Sequence, residues 1–173
     1  IGDFVDKNTL EKSLNPLELF SLTARKALAD TQFENLHEHI DYVGTVRLSV
    51  DYPTATNQDS FGYKNISHSI ANKLNIKAKE FVYTSMGGNA PQVLIEDAAK
   101  NILSGDINCA LLSGGETLKT MIDILKSGES LDWFDDPKTR PREIGENELG
   151  FNDYEKNHKM DLPTNVYPLF SQA

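Results

Sequence analysis

Residues 85–92 read Ser-Met-Gly-Gly-Asn-Ala-Pro-Gln. They stand between an apolar run, Phe81-Val82-Tyr83, and a helical pattern from Val93 to Leu103. A strand that turns through two glycines into a helix can present a nucleophile, or offer free N–H groups to an anion. Ser85 is the nucleophile candidate. The Gly-x-Ser-x-Gly elbow fits at Gly87 but fails at Tyr83, and the one His downstream is His158. A serine triad is therefore incomplete. Gly87 and Gly88 could cradle a phosphate, yet neither a P-loop Lys nor a Gly-x-Gly-x-x-Gly pattern follows, and Pro91 removes one donor. The competing reading is structural: two glycines make a tight turn and Asn89 caps the helix behind it.

A second Gly pair, Gly114-Gly115, precedes Glu116 at the end of another apolar run. Glu116 stands where α/β proteins place functional groups, at the carboxyl end of a strand, but a first-turn acid also favours the helix dipole. Both readings stay open. Cys109 lies inside the apolar run Ile107–Leu112 and reads as a structural thiol rather than a nucleophile. His37 and His39 alternate on a segment that reads as solvated surface. Trp133 and Phe134 read as anchors for a polar excursion.

These residues need a frame to hold them. Asn15-Pro16 opens a helix running to about Asp30, with Glu18 in its first turn. A β-rich stretch covers 40–50, with Gly44 suggesting a bulge or break. Residues 51–63 read as loop, 64–74 as helix and 79–84 as strand. The helix at 90–103 closes at Gly105 and is apolar on most of its circumference, which predicts a buried helix. The run 107–112 predicts a strand covered on both faces, and 117–126 a further helix. The alternation predicts an α/β fold, a layered and mainly parallel sheet with helices on both faces. Residues 1–127 form the N-terminal α/β domain. Residues 128–173 form an excursion and a returning segment.

The chain has 173 residues and a formal net charge of −9, which argues against a nucleic-acid footprint and against anionic membrane surfaces. No apolar run approaches 18 residues, and no secretory signal is visible. One cysteine excludes an internal disulfide and points to a reducing, cytoplasmic setting. No His–carboxylate spacing calls for a metal.

Taken in order, the segments resemble the N-terminal part of the thiolase superfamily, over nearly the whole chain. The resemblance rests on Asn15–Asp30, on Ile40-Asp41-Tyr42-Val43, on Glu80–Tyr83, on Ala98–Asp106, and on the apolar strand ending in Gly114-Gly115-Glu116. The sterol-carrier-type and acetyl-CoA acetyltransferase-like branch, whose members read GGN-x-PQ at this turn, is the most similar in flavour. The resemblance implies acyl transfer between thioesters, with coenzyme A thioester as substrate or ligand. It also implies a homodimer through strand 79–84 and a C-terminal half beyond Ala173. Ile1-Gly2-Asp3 likewise reads as the interior of a longer chain.

Thiolases place a Cys at the start of this helix, at about Gly88 here, and positions 85–91 hold none. A glycine cannot be acylated. No catalytic residue is therefore assigned. Ser85, Met86, Gly87, Gly88, Asn89 and Glu116 are the candidate binding residues. The alternative to an acyltransferase is a non-catalytic protein that binds acyl-CoA or a partner.

Overall fold

The computed structural model describes residues 14–51, 62–146 and 151–171. Helix α1 (Pro16–Asp30) begins with a capping box. The Asn15 side chain accepts from the Glu18 N–H at 2.9 Å, and the Glu18 carboxylate accepts from the Asn15 N–H at 3.1 Å. Helix α2 (Ile66–Leu74) starts from Asn65, whose side chain accepts from the His68 N–H, and ends at left-handed Asn75. Helix α3 (Ala90–Ser104) ends at Gly105 with φ +81°, the C′ glycine expected. Helices α4 (Leu118–Ser127), α5 (Asp153–Asn157) and α6 (Pro163–Ser171) follow.

The strands are β1 (Tyr42–Thr45), β2 (Gly62–Tyr63), β3 (Glu80–Thr84), β4 (Ala110–Ser113), β5 (Phe134–Asp135) and β6 (Arg142–Ile144). Four of them form one sheet in the order β4-β1-β3-β6, and every pair in it is parallel. β2 and β5 form a separate parallel pair. The fold is α/β with a mainly parallel sheet.

Strand side chains alternate between two cores. Val43, Tyr83 and Leu111 point to a core shared with Phe20 and Ala24 of α1 and Ile66 and Ile70 of α2. Met121 and Ile124 of α4 pack against the same side. Tyr42 and Val82 point the other way, to Leu94 and Ala98 of α3. The chain moves from β1 to β3 in one direction along the sheet and from β3 back past β1 to β4 in the other. Crossovers of a single hand then put α2 and α3 on opposite faces.

Several expectations are corrected. The β stretch at 40–50 stops at Thr45, and Ser49–Asp51 is a 3-10 turn. The strand ends there because the Arg47 N–H is captured by the Thr84 side chain. Gly44 makes no bulge, since the register runs unbroken from Tyr42 to Thr45 on both neighbours. Its glycine answers a close approach instead: a Cβ there would stand 2.7 Å from Leu94 Cδ1 and 2.8 Å from Tyr42 Cε1. The run 107–112 becomes a strand only from Ala110, and β4 lies at the sheet edge, half-exposed, not covered on both faces.

Helix α3 is not buried all round. Ala90, Leu94 and Ala98 are covered, whereas Ile95 is 53% and Leu103 87% exposed. One sheet face can cover only one stripe of a helix. Of the expected loop at 51–63, residues 52–61 lie outside the described residues, and Gly62–Tyr63 is the strand β2.

Past residue 127 the chain is stitched back onto what precedes it. β5 pairs with β2, and β6 extends the sheet beside β3. Trp133 is buried in the α1/α2 core, while Phe134 is 43% exposed, so the anchor is the indole alone. Arg142 of β6 reaches Asp97 of α3 with both terminal nitrogens, at 3.1 and 2.7 Å, and Glu80 of β3 with Nε. Tyr42 donates to the same Asp97 at 2.8 Å. Arg142 foremost, with Tyr42, holds the Asp97 carboxyl below its ordinary range.

Candidate functional site

All strands of the main sheet point the same way, so the segments leaving β1, β3 and β4 emerge at one end. β1 continues through α2 on one face and β3 through α3 on the other. The crevice between the carboxyl ends of β1 and β3 is therefore the topological switch point, where open α/β sheets bind ligands.

Arg47 spans that crevice. Its N–H donates to Thr84 Oγ1 at 3.0 Å and its Nε–H to the Thr84 carbonyl at 2.9 Å. Its guanidinium pairs with Glu143 at 2.9 Å and lies 4.4 Å above the Tyr83 ring. Tyr83 in turn donates to Asp51 Oδ2 at 2.6 Å and accepts from the Leu48 N–H at 2.9 Å. Asp51 Oδ1 accepts from the Tyr63 N–H at 3.0 Å. Burial raises the Asp51 carboxyl above its usual range, against the pull of Tyr83, Tyr63 and Arg47. Burial first, and then Asp51, raises the Tyr83 hydroxyl as well. These groups border a polar cavity of about 330 Å³, completed by Lys64 and Arg140.

On the opposite face of the sheet lies an apolar groove of about 310 Å³. Val46, Leu112 and Gly114 form its floor at the strand ends, and Pro91, Leu94 and Ile95 of α3 form its wall. Val46 and Arg47 are neighbours in the chain, so one residue step separates the groove from the polar cavity.

The residues singled out in the sequence distribute unevenly around these features. Ser85 donates its N–H to the Ile144 carbonyl at 2.7 Å and sits against Gly145, where a Cβ would come within 2.5 Å of its Oγ. His158 bonds to the Tyr154 carbonyl of its own helix and serves as no base to Ser85. Met86 is half-buried, and Gly87, Gly88 and Asn89 are exposed. The expected tight turn forms, closed by the Ala90 N–H donating to the Gly87 carbonyl at 3.0 Å, but neither Gly87 nor Gly88 has a positive φ, so its geometry does not demand glycine. A Cβ at Gly88 would meet nothing within 4 Å, and one at Gly87 would meet only the tip of Asn89.

Asn89 does not cap α3 with its side chain. Its backbone, at φ −90° and ψ −6°, is already helical, whereas a side-chain cap needs an extended residue.

Glu116 is a clamp. Its Oε1 accepts from the Ser49 N–H at 2.7 Å and from the Ser49 hydroxyl at 2.6 Å, fixing the turn that follows β1. Cys109 is half-buried, and burial and Asp41 push its thiol up, away from the thiolate that chemistry requires. Among the described residues no three His, Cys, Asp or Glu side chains gather as a metal site, and no helix is long and apolar enough to cross a membrane.

No protein-family model matches this chain, and neither does any curated protein or solved structure. Arg47, Asp51, Lys64 and Arg140 were not legible as site residues. Reading 40–50 as one strand hides Arg47, because a residue inside a strand is not at its carboxyl end. Asp51 falls at the start of the expected loop, with nothing to mark it.

Proposed function

We propose that this chain is part of a thiolase-like acyl-CoA protein that holds an acyl thioester without exchanging it. The observation that carries the reading is the apolar groove at the carboxyl ends of β1 and β4, walled by the first turns of α3. Apolar lining with the open backbone of residues 87–89 nearby suits a short acyl group. The turn at 85–89 enters α3 at the place where the resemblance puts a nucleophile, and it lacks the thiol. A side chain at Gly88 would meet nothing within 4 Å, so the exposed turn has room for a thiol. The reading carries with it a cytoplasmic setting, which the single cysteine supports. It also carries a homodimer. Pairing through 79–84 would require β6 to leave, because β3 has β1 on one edge and β6 on the other.

Calorimetry with acetyl-CoA, butyryl-CoA and free CoA tests this, with thioester loss followed in the same samples. Butyryl-CoA should bind more tightly than CoA, with no turnover. Ile95→Glu, which puts a charge on the half-exposed wall of the groove, should weaken the acyl ligands about tenfold and leave CoA unchanged. Equal binding of all three ligands overturns the groove reading. Measurable exchange returns the chain to the acyltransferase class.

A further inference from the structure

The polar cavity beside the switch point has an unusual charge balance for a chain of net charge −9. Three cations border it, Arg47, Lys64 and Arg140, against two acids, Asp51 and Glu143. Arg47 is spoken for by Glu143, by the Thr84 carbonyl and by the Tyr83 ring. Asp51 is engaged by Tyr83 and the Tyr63 N–H. Lys64 and Arg140 have no ion-pair partner among the described residues. Asp136 feels Arg140 only at a distance and bonds to Lys138 instead.

We propose that this cavity binds a small phosphorylated ligand, its dianionic phosphate held between Lys64 and Arg140. Two cations with no ion-pair partner among the described residues match two negative charges. Arg140 supplies a planar fork suited to phosphate oxygens and Lys64 a mobile point charge. Lys64 is carried on paired backbone, its N–H donating to the Asp135 carbonyl at 3.0 Å, and Arg140 lies just ahead of the edge strand β6. Arg47 and Tyr83 form a rigid, hydrogen-bonded floor, so little ordering is left to be done on binding.

A volume of about 330 Å³ takes a phosphoryl group with a small substituent. A long polyanion is disfavoured, since the rest of the acidic surface repels it. The cavity shares no lining residue with the apolar groove, so the two sites fail or survive independently.

Inorganic phosphate, titrated calorimetrically at low ionic strength and slightly alkaline pH, is the probe, with chloride at equal ionic strength as the control. The expected result is saturable binding at one site per chain. Lys64→Ala and Arg140→Ala should each weaken it about tenfold, the loss of one charge-assisted hydrogen bond. Glu143→Gln should strengthen it severalfold by removing an acid from the rim, a gain that general damage to the fold cannot produce. Circular dichroism verifies that each variant is folded. Unsaturable binding, a Lys64→Ala/Arg140→Ala double variant that binds like the parent, or weaker binding by Glu143→Gln each overturns the proposal.

Discussion

The two strand-to-helix turns share one vocabulary and use it differently. After β3 the chain reads Ser85-Met86-Gly87-Gly88-Asn89, and after β4 it reads Gly114-Gly115-Glu116. The second turn is squeezed. A Cβ at Gly114 would stand 3.0 Å from Val46 Cβ, and one at Gly115 would stand 3.0 Å from Phe20 Cε1. Its polar residue, Glu116, is committed to Ser49. The first turn is open, with space at Gly88 and an asparagine that caps nothing. A glycine pair thus marks close packing in one place, where Gly114 and Gly115 line the apolar groove, and open space in the other.

Paired substitutions can break this contrast. The largest difference is expected between Gly114→Val and Gly88→Val. Forcing a branched side chain onto Val46 should destabilise the protein by about 1–3 kcal/mol, the usual cost of overpacking. The same change at Gly88 should stay within about 0.5 kcal/mol, as for an unconstrained surface site. Urea unfolding of both variants measures the gap, and equal midpoints would erase the distinction between the turns.

A smaller difference should separate the polar residues. Glu116→Ala removes two hydrogen bonds to Ser49 and should cost about 1 kcal/mol, because the carboxylate is exposed and water partly replaces it. Asn89→Ala should cost nearly nothing, whereas a working N-cap would lose about 1 kcal/mol. A clear thermal shift for Asn89→Ala would mean that its side chain does close the helix in solution.

The smallest effect on stability sharpens the comparison most. Gly88→Cys should leave unfolding unchanged and add a thiol that reacts with a disulfide reagent at least tenfold faster than Cys109. If the added thiol of the Gly88→Cys variant reacts no faster than Cys109, the open turn is closed to reagents in solution.

Local chemistry made much of the scaffold readable. The caps at Asn15 and Gly105 set the bounds of α1 and α3 because each satisfies backbone groups within its own helix. The parallel sheet followed from the alternation of helical and extended runs. The errors have a common origin in distant partners. β1 ends at Thr45 because Thr84 takes the N–H of Arg47, a residue 37 positions before it. Gly44 looks like a bulge until Leu94 arrives above it. Glu116 reads as either a functional or a helix-dipole acid, and is committed to a residue 67 positions away. The polar cavity draws on β2, β3, the segment after β1 and the approach to β6, with no shared motif among them. No window of sequence contains it.

The position of β6 sets a timetable. Its pairing of Arg142 with Val82 bridges about 60 residues, whereas β3 finds its inner neighbour, β1, across only about 38. On a ribosome adding about 5–20 residues per second, β3 emerges roughly 3–12 s before its outer neighbour exists. For that interval the nascent chain carries a bare strand edge rich in Phe81, Val82 and Tyr83, the kind of edge at which chains pair wrongly with one another. Arrival of β6 ends that exposure, and the polar cavity gains its Arg140 rim in the same event.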